Sequence, residues 1–345
     1  MKGIGARNAR GMSLVELMVA VTLGLILIAG LLQVYLSTRT AYSIQDAVMR
    51  RQENLRYVTY VLTRDVRMAG YRGCLRDTGN VINTLNTPAN FLYNFALPVQ
   101  GFEATSSAGA GTWSPALDAT ISNVVPGTDV VTVRSITDPD VYVTQAMPTS
   151  SADVKTNPLN PYPFQIGEIV LISDCGGSAI FQITNLSTLG AFGNVVHNTG
   201  GAAVPGNATQ NLGRRYPEGS QLMRIRTVSY FIRNSARGTG PALWRRVGSD
   251  PPEEMAEGVE NMQALYGEDT DNDQVPDAWR KASAVTQWRN VTAVRIGLLV
   301  AGPANNAGEP DSRSFVVLDE NLGARNDRRV RSVLTTTVAL RNRLP

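Results

Sequence analysis

The chain has 345 residues, 43% of them hydrophobic, and 32 Lys+Arg against 29 Asp+Glu give a formal charge of +3. That length supports a sizeable core, while a single histidine and two cysteines leave no basis for a spaced His-based triad or a Cys/His zinc cluster. The small positive surplus equals the three cations Lys2, Arg7 and Arg10 at the extreme N-terminus, so the rest of the chain is balanced and carries no general nucleic-acid footprint.

Those cations precede Gly11-Met12-Ser13-Leu14-Val15-Glu16, and Leu17 to Leu32 follow with only Thr22 polar and no further charge before Arg39. An acidic residue at the centre of a membrane helix costs roughly 2.5 to 3.5 kcal/mol, and less near its end, so Glu16 needs a compensating use. The pattern resembles the signal of type IV prepilins and pseudopilins. The resemblance implies a leader of residues 1–11 ending at Gly11 and removed by a prepilin peptidase, and an N-methylated Met12. It also implies that Glu16 partners the N-terminal amine of a neighbouring subunit. Many pilins begin with Phe where this chain has Met12. A secretory signal fits poorly, because the apolar stretch is long and Gln33 to Ser37 offers no Ala-x-Ala exit. A plain single-pass anchor is the stronger alternative, since residues 12–36 are long enough to cross about 30 Å of hydrocarbon.

Val48, Leu55, Val58, Leu62, Val66 and Ala69 then recur at helical spacing, with Arg50, Arg51, Glu53, Arg56, Arg64 and Asp65 mostly elsewhere. No proline occurs before Pro88, and Gly70 is a natural stop. One helix is therefore expected from Met12 to about Ala69, on the order of 87 Å long: residues 12–36 membrane-spanning or in a filament core, and 37–70 an amphipathic continuation. The resemblance implies an α+β lollipop, this stem packed on a C-terminal antiparallel β-rich head.

Residues 71–220 read as a loop-rich β insertion, with strands expected at Asp129–Ile136, Asp140–Thr144, Glu168–Ser173 and Ala179–Thr184. Thr105–Thr112 and Thr199–Asn207 read as flexible surface loops. Residues 221–345 read as the β-sheet part of the head. Leu222–Ile232 and Ala242–Val247 make a hairpin about Asn234–Gly240; Met255, Val259, Met262 and Leu265 have near-helical spacing, weakened by Gly258. Ala293–Val300 alternates as a strand, and Ser332–Arg341 closes the chain with Leu334, Val338 and Leu340 inward. Tyr230-Phe231-Ile232, Leu243-Trp244-Arg245, Gly258-Val259, Tyr266-Gly267, Val294-Arg295-Ile296 and Thr337 to Asn342 in this order resemble the W-type minor pilins, the PilW family. J-type pseudopilins of type II secretion share the pattern with smaller heads.

Asp269, Asp271, Asp273, the Val275 carbonyl and Asp277 match the oxygen spacing of an EF-hand-like calcium loop. Gln274 replaces the turn glycine and Arg280 stands where the bidentate glutamate would be, so a solvated acidic turn is the competing reading; a bound Ca²⁺ would be structural. Cys74 and Cys175 read as one disulfide in an exported head, or as two buried thiols. Arg214-Arg215, Arg245-Arg246 and Arg328-Arg329-Arg331 read as solvated strand faces or turns. His197 has no spaced catalytic partners, Trp113, Trp244, Trp279 and Trp288 read as core or hairpin residues, and no GxSxG, HExxH or phosphate-cradling loop is present. No enzymatic activity is expected. Two functions remain. One is a minor pilin priming a type IV pilus at or near its tip, anchored in the bacterial inner membrane with a periplasmic head and joined to other pilins through its stem. The other is a membrane-tethered, adhesin-like binding module, with a tip adhesin, a surface or DNA as its contact.

Overall fold

The computed structural model describes residues 12–75, 81–107, 109–187, 192–200, 204–302 and 309–340, with the side chains of 138 and 139 set aside. One helix, α1, runs Leu14–Met68, 55 residues and so about 82 Å. It stops where the apolar pattern stops. Ala69 leaves helical geometry, and Gly70 turns the chain at φ +73°, its N–H donating to the Arg134 carbonyl (3.2 Å). A side chain at Gly70 would press on Pro98 at 3.0 Å in a conformation that already favours glycine.

The head is strands. Its first part holds β1 Val81–Asn83, β2 Val99–Ser106, β3 Thr112–Ser114, β4 Val130–Gln145, β5 Val154–Thr156, β6 Ile169–Asp174, β7 Gly177–Gln182, β8 Asn185–Ser187 and β9 Gly193–Val196. The second part holds β10 Gln221–Asn234, β11 Pro241–Val247, β12 Glu253–Glu257, β13 Val259–Glu268, β14 Ala278–Arg280, β15 Val291–Ala301, β16 Ser314–Val317, β17 Glu320–Ala324 and β18 Arg331–Ala339. Among the described residues, β1 to β12 form one large sheet, β14-β13-β15-β18 a four-stranded antiparallel sheet, and β16-β17 a separate hairpin.

The division expected at residue 220 runs through the large sheet rather than between bodies, because β10 pairs with β4 and β6 of the insertion as well as with β11. Two expected strands are one: β4 continues through Asp140, which takes φ +61°. Thr105–Thr112 is not a free loop. Its ends are zipped as a β2–β3 hairpin, with Ser106 opposite Thr112 and the Thr105 and Thr112 hydroxyls 2.8 Å apart.

The helical spacing of Met255 to Leu265 is also corrected, since those residues lie on β12 and β13. Nearly every residue of β13 is buried. A strand covered on both faces needs no alternation, so its apolar positions can fall at any spacing. Gly258 makes the corner at φ +78°, where an added Cβ would stand 2.4 Å from the Ala301 carbonyl oxygen.

The main core lies between the four-stranded sheet, the large sheet and the second half of α1. Val58, Leu62, Val66 and Ala69 pack there with Val131, Val133, Tyr230, Met262, Ile296 and Val338. Buried Asp129 stitches the sheets, one oxygen accepting the Ala104 N–H and the other the Ala264 N–H, each at 2.9 Å. A second core fills the insertion around Phe164, Phe181 and Tyr216. Cys74 and Cys175 are joined in a disulfide, which ties the chain just beyond the stem to the β6–β7 turn.

Candidate functional site

The start of α1 is organised by Ser13 and Glu16. Ser13 is the N-cap: its Oγ accepts the Glu16 N–H (3.2 Å), while Glu16 Oε2 accepts the Ser13 N–H (3.2 Å) and hydroxyl (3.4 Å). This capping box satisfies amides that a helix end leaves without partners, and it places a carboxylate at the positive end of the helix dipole. All these bonds are exposed to their surroundings and long, so each is readily exchanged for a better partner. Gly11 lies outside the described residues; Met12 and Glu16 stand one on each side of the N-cap.

From Met12 to Tyr42 the stem is exposed almost throughout. Leu14, Leu17, Val21, Ile26, Leu31 and Tyr35 are each more than half exposed, and the span is long and apolar enough to cross a membrane. The first buried residue of the stem is Ala47, near Gly302, and burial continues through the stripe. Val48, counted in the stripe from sequence, is only half-buried, and Ala47 beside it takes the contact.

Two polar ties fix the seat. Asn54 Nδ2 donates to the Glu257 carbonyl (3.1 Å), and the buried Tyr230 hydroxyl donates to Asp65 Oδ2 (2.5 Å). Burial first, and then the Asp65 charge, push the Tyr230 phenol far above its ordinary value, so it stays a donor. Sequence reasoning missed this tie. The available signal was an acid, Asp65, set between Leu62 and Val66 on the edge of the apolar stripe.

The acidic loop connects β13 to β14. Asp269, Asp271 and Asp273 each bring a carboxylate oxygen within 4.8 Å of the others, Asp269 being buried and the other two exposed. Asp277 is not with them; its Oδ2 accepts the Thr270 N–H (2.6 Å) and hydroxyl (2.7 Å), which hold its carboxyl below the ordinary value. Val275 donates its N–H to Asp273 Oδ1 (2.7 Å). Asn272 and Gln274 take left-handed φ values of 65° and 71°, a conformation that asparagine tolerates and that the missing turn glycine would have favoured at Gln274. The sequence ligand set is thus brought together in part.

The arginine clusters are corrected in part, since Arg215 and Arg328 are exposed as expected while other members are paired. Arg331 is buried, its Nε 2.7 Å from Glu260 Oε2 and its Nη1 2.5 Å from Asp327 Oδ1. Arg214 pairs with Asp174 and Arg245 with Glu253. These residues hold the head together rather than offering a cationic surface. His197 is buried against Phe181, its Nε2 3.0 Å from the Ala152 carbonyl oxygen, and burial lowers its affinity for a proton. That is a packed imidazole.

Residues 229–342 match the family of type IV pilus-assembly protein W, PilW, and residues 6–32 match the prokaryotic N-terminal methylation motif. No curated protein matches the chain. A solved structure, a type IV-like pilin from Thermus thermophilus, is similar at 15% identity over 52% of this chain and 84% of its own, with a TM-score of 0.25. The chain thus carries an N-terminal methylation motif at the head of an apolar stem and a C-terminal region similar to the PilW family, whose description is that of a pilus-assembly protein.

Proposed function

We propose that this chain is a minor pilin that helps prime a type IV pilus and ends at or near its tip. Prepilin peptidase cuts after Gly11, Met12 becomes the N-methylated first residue, and residues 12–36 hold the subunit in the inner membrane until they enter the filament core beside other pilins. Glu16 is the assembly residue. The observation that carries this reading is the contrast within α1: an exposed apolar half bearing one carboxylate, continuous with a half built into the head. Within a membrane or filament core, an opposite charge offsets the cost of that carboxylate better than the long bonds to Ser13 can.

Glu16→Ala tests it. The variant is expected to remain membrane-anchored while piliation, or incorporation of this subunit, is lost in electron micrographs and sheared-pilus blots. Normal pili containing the variant would overturn the priming role. They are also what a second reading, a membrane-tethered adhesin-like module, predicts. That reading draws on the large insertion sheet, most of which lies outside residues 229–342. The W-type match weighs against a J-type pseudopilin. A structural Ca²⁺ on Asp269, Asp271 and Asp273 is a separate proposal about head stability, and DNA at the tip finds no cationic surface in the paired arginines.

A further inference from the structure

Among the described residues, the last strand of the four-stranded sheet has an open side: β18 pairs there with β15 alone, and the ladder runs without a bulge from Ala293 opposite Ala339 to Ala301 opposite Arg331. Leu340 N–H donates to the Thr292 carbonyl (2.8 Å). The antiparallel period of two then turns the amides of Leu334, Thr336 and Val338 toward β15 and those of Val333, Thr335, Thr337 and Ala339 outward. No hydrogen bond from a described residue reaches these outward amides. Edge strands are normally blunted by lysine, proline, a bulge or brevity. β18 is nine residues long with none of these, and its one charge, Arg331, is tied inward to Glu260 and Asp327.

Beside this edge lies a groove of about 740 Å³ between α1 and β18. Leu55, Tyr60 and Leu334 supply its apolar surface, and Arg56, Arg64 and Arg67 stand along it, exposed and without an ion-pair partner among the described residues. A strand added to β18 would lie about 4.8 Å beyond it and send every second side chain over that groove. Main-chain bonds, alternate apolar contacts and a cationic margin are the components of recognition by strand addition. We propose that the β18 edge and this groove form one docking site for an extended segment of a partner protein, apolar at alternate positions and flanked by carboxylates.

The probe is a labelled peptide of alternating valine and threonine flanked by glutamates, with a lysine-flanked twin, titrated into the detergent-solubilised full chain by fluorescence anisotropy. The glutamate peptide is expected to bind roughly tenfold more tightly than its twin and to slow hydrogen exchange at the outward amides of β18. Thr335→Pro with Thr337→Pro removes two outward donors while sparing the β15 ladder, and is expected to abolish binding with little change in melting temperature. Arg56→Glu with Arg64→Glu, both exposed and remote from the core, is expected to reverse the flank preference and keeps the test decisive should the prolines disturb the fold. No binding at millimolar peptide, equal binding of the twins, or protection away from β18 would overturn the proposal. Self-association of the chain dispersed by the same prolines would also overturn it, making a second copy the occupant.

Discussion

The two halves of α1 share one backbone and almost nothing else. Residues 12–36 are apolar all round and exposed all round; residues 47–69 bury one stripe and show charge on the rest. Helical propensity does not separate them. What separates them is where the apolar surface finds cover: a continuous apolar perimeter can be satisfied only by lipid or by other helices, whereas a stripe needs one sheet face. The helix therefore carries two different kinds of partner in series, with Thr40 to Asp46 as the transition.

The strongest way to break this contrast is to truncate one leucine in each half. Leu62→Ala, at a fully buried position in the main core, is expected to cost about 2 to 5 kcal/mol in thermal unfolding of the head. Leu25→Ala, exposed in the first half, should leave that transition where it was. Equal losses would mean that the bare half packs on the head. A smaller effect sharpens the seated half. Tyr230→Phe deletes the donor to Asp65 and should cost about 1.5 kcal/mol, near the low end for bonds to charged groups because Asp65 is only half-buried; no change in melting would remove the tie from the seat.

The smallest effect touches neither half. Three carboxylates within 4.8 Å on the β13–β14 loop repel one another, so millimolar Ca²⁺ should raise the melting temperature of the head by about a degree or two, by mass action on the folded state. Asp271→Asn with Asp273→Asn should erase the response. A melting curve indifferent to both Ca²⁺ and chelator would dispose of the site.

The stem was legible in the sequence because its signals are local: Ser13 three residues before Glu16, an uninterrupted apolar run, a 3.6-residue stripe ending at Gly70. The β10–β11 hairpin, β15 and β18 were legible for the same reason, each having a turn or an alternation of its own. What escaped depends on residues far apart in sequence. β13 looked helical because both its faces are buried, a fact contributed by other strands. Arg331 looked solvated because Glu260, its partner, lies 71 residues earlier. Asp277 fits the calcium spacing, yet Thr270 claims its oxygen. Carboxylate spacing was visible in sequence; the competing hydrogen bonds were not.

The disulfide has a mechanical consequence. A pull along α1 leaves the helix at Ala69 and meets Cys74 five residues later, where the bond to Cys175 offers a covalent shortcut across a sequence separation of 101. Tension that reaches Cys74 is therefore passed to β6 as well as along the chain, and from β6 to β10 through their antiparallel pairing. β6 is thus the strand of the insertion that this covalent link places nearest the stem.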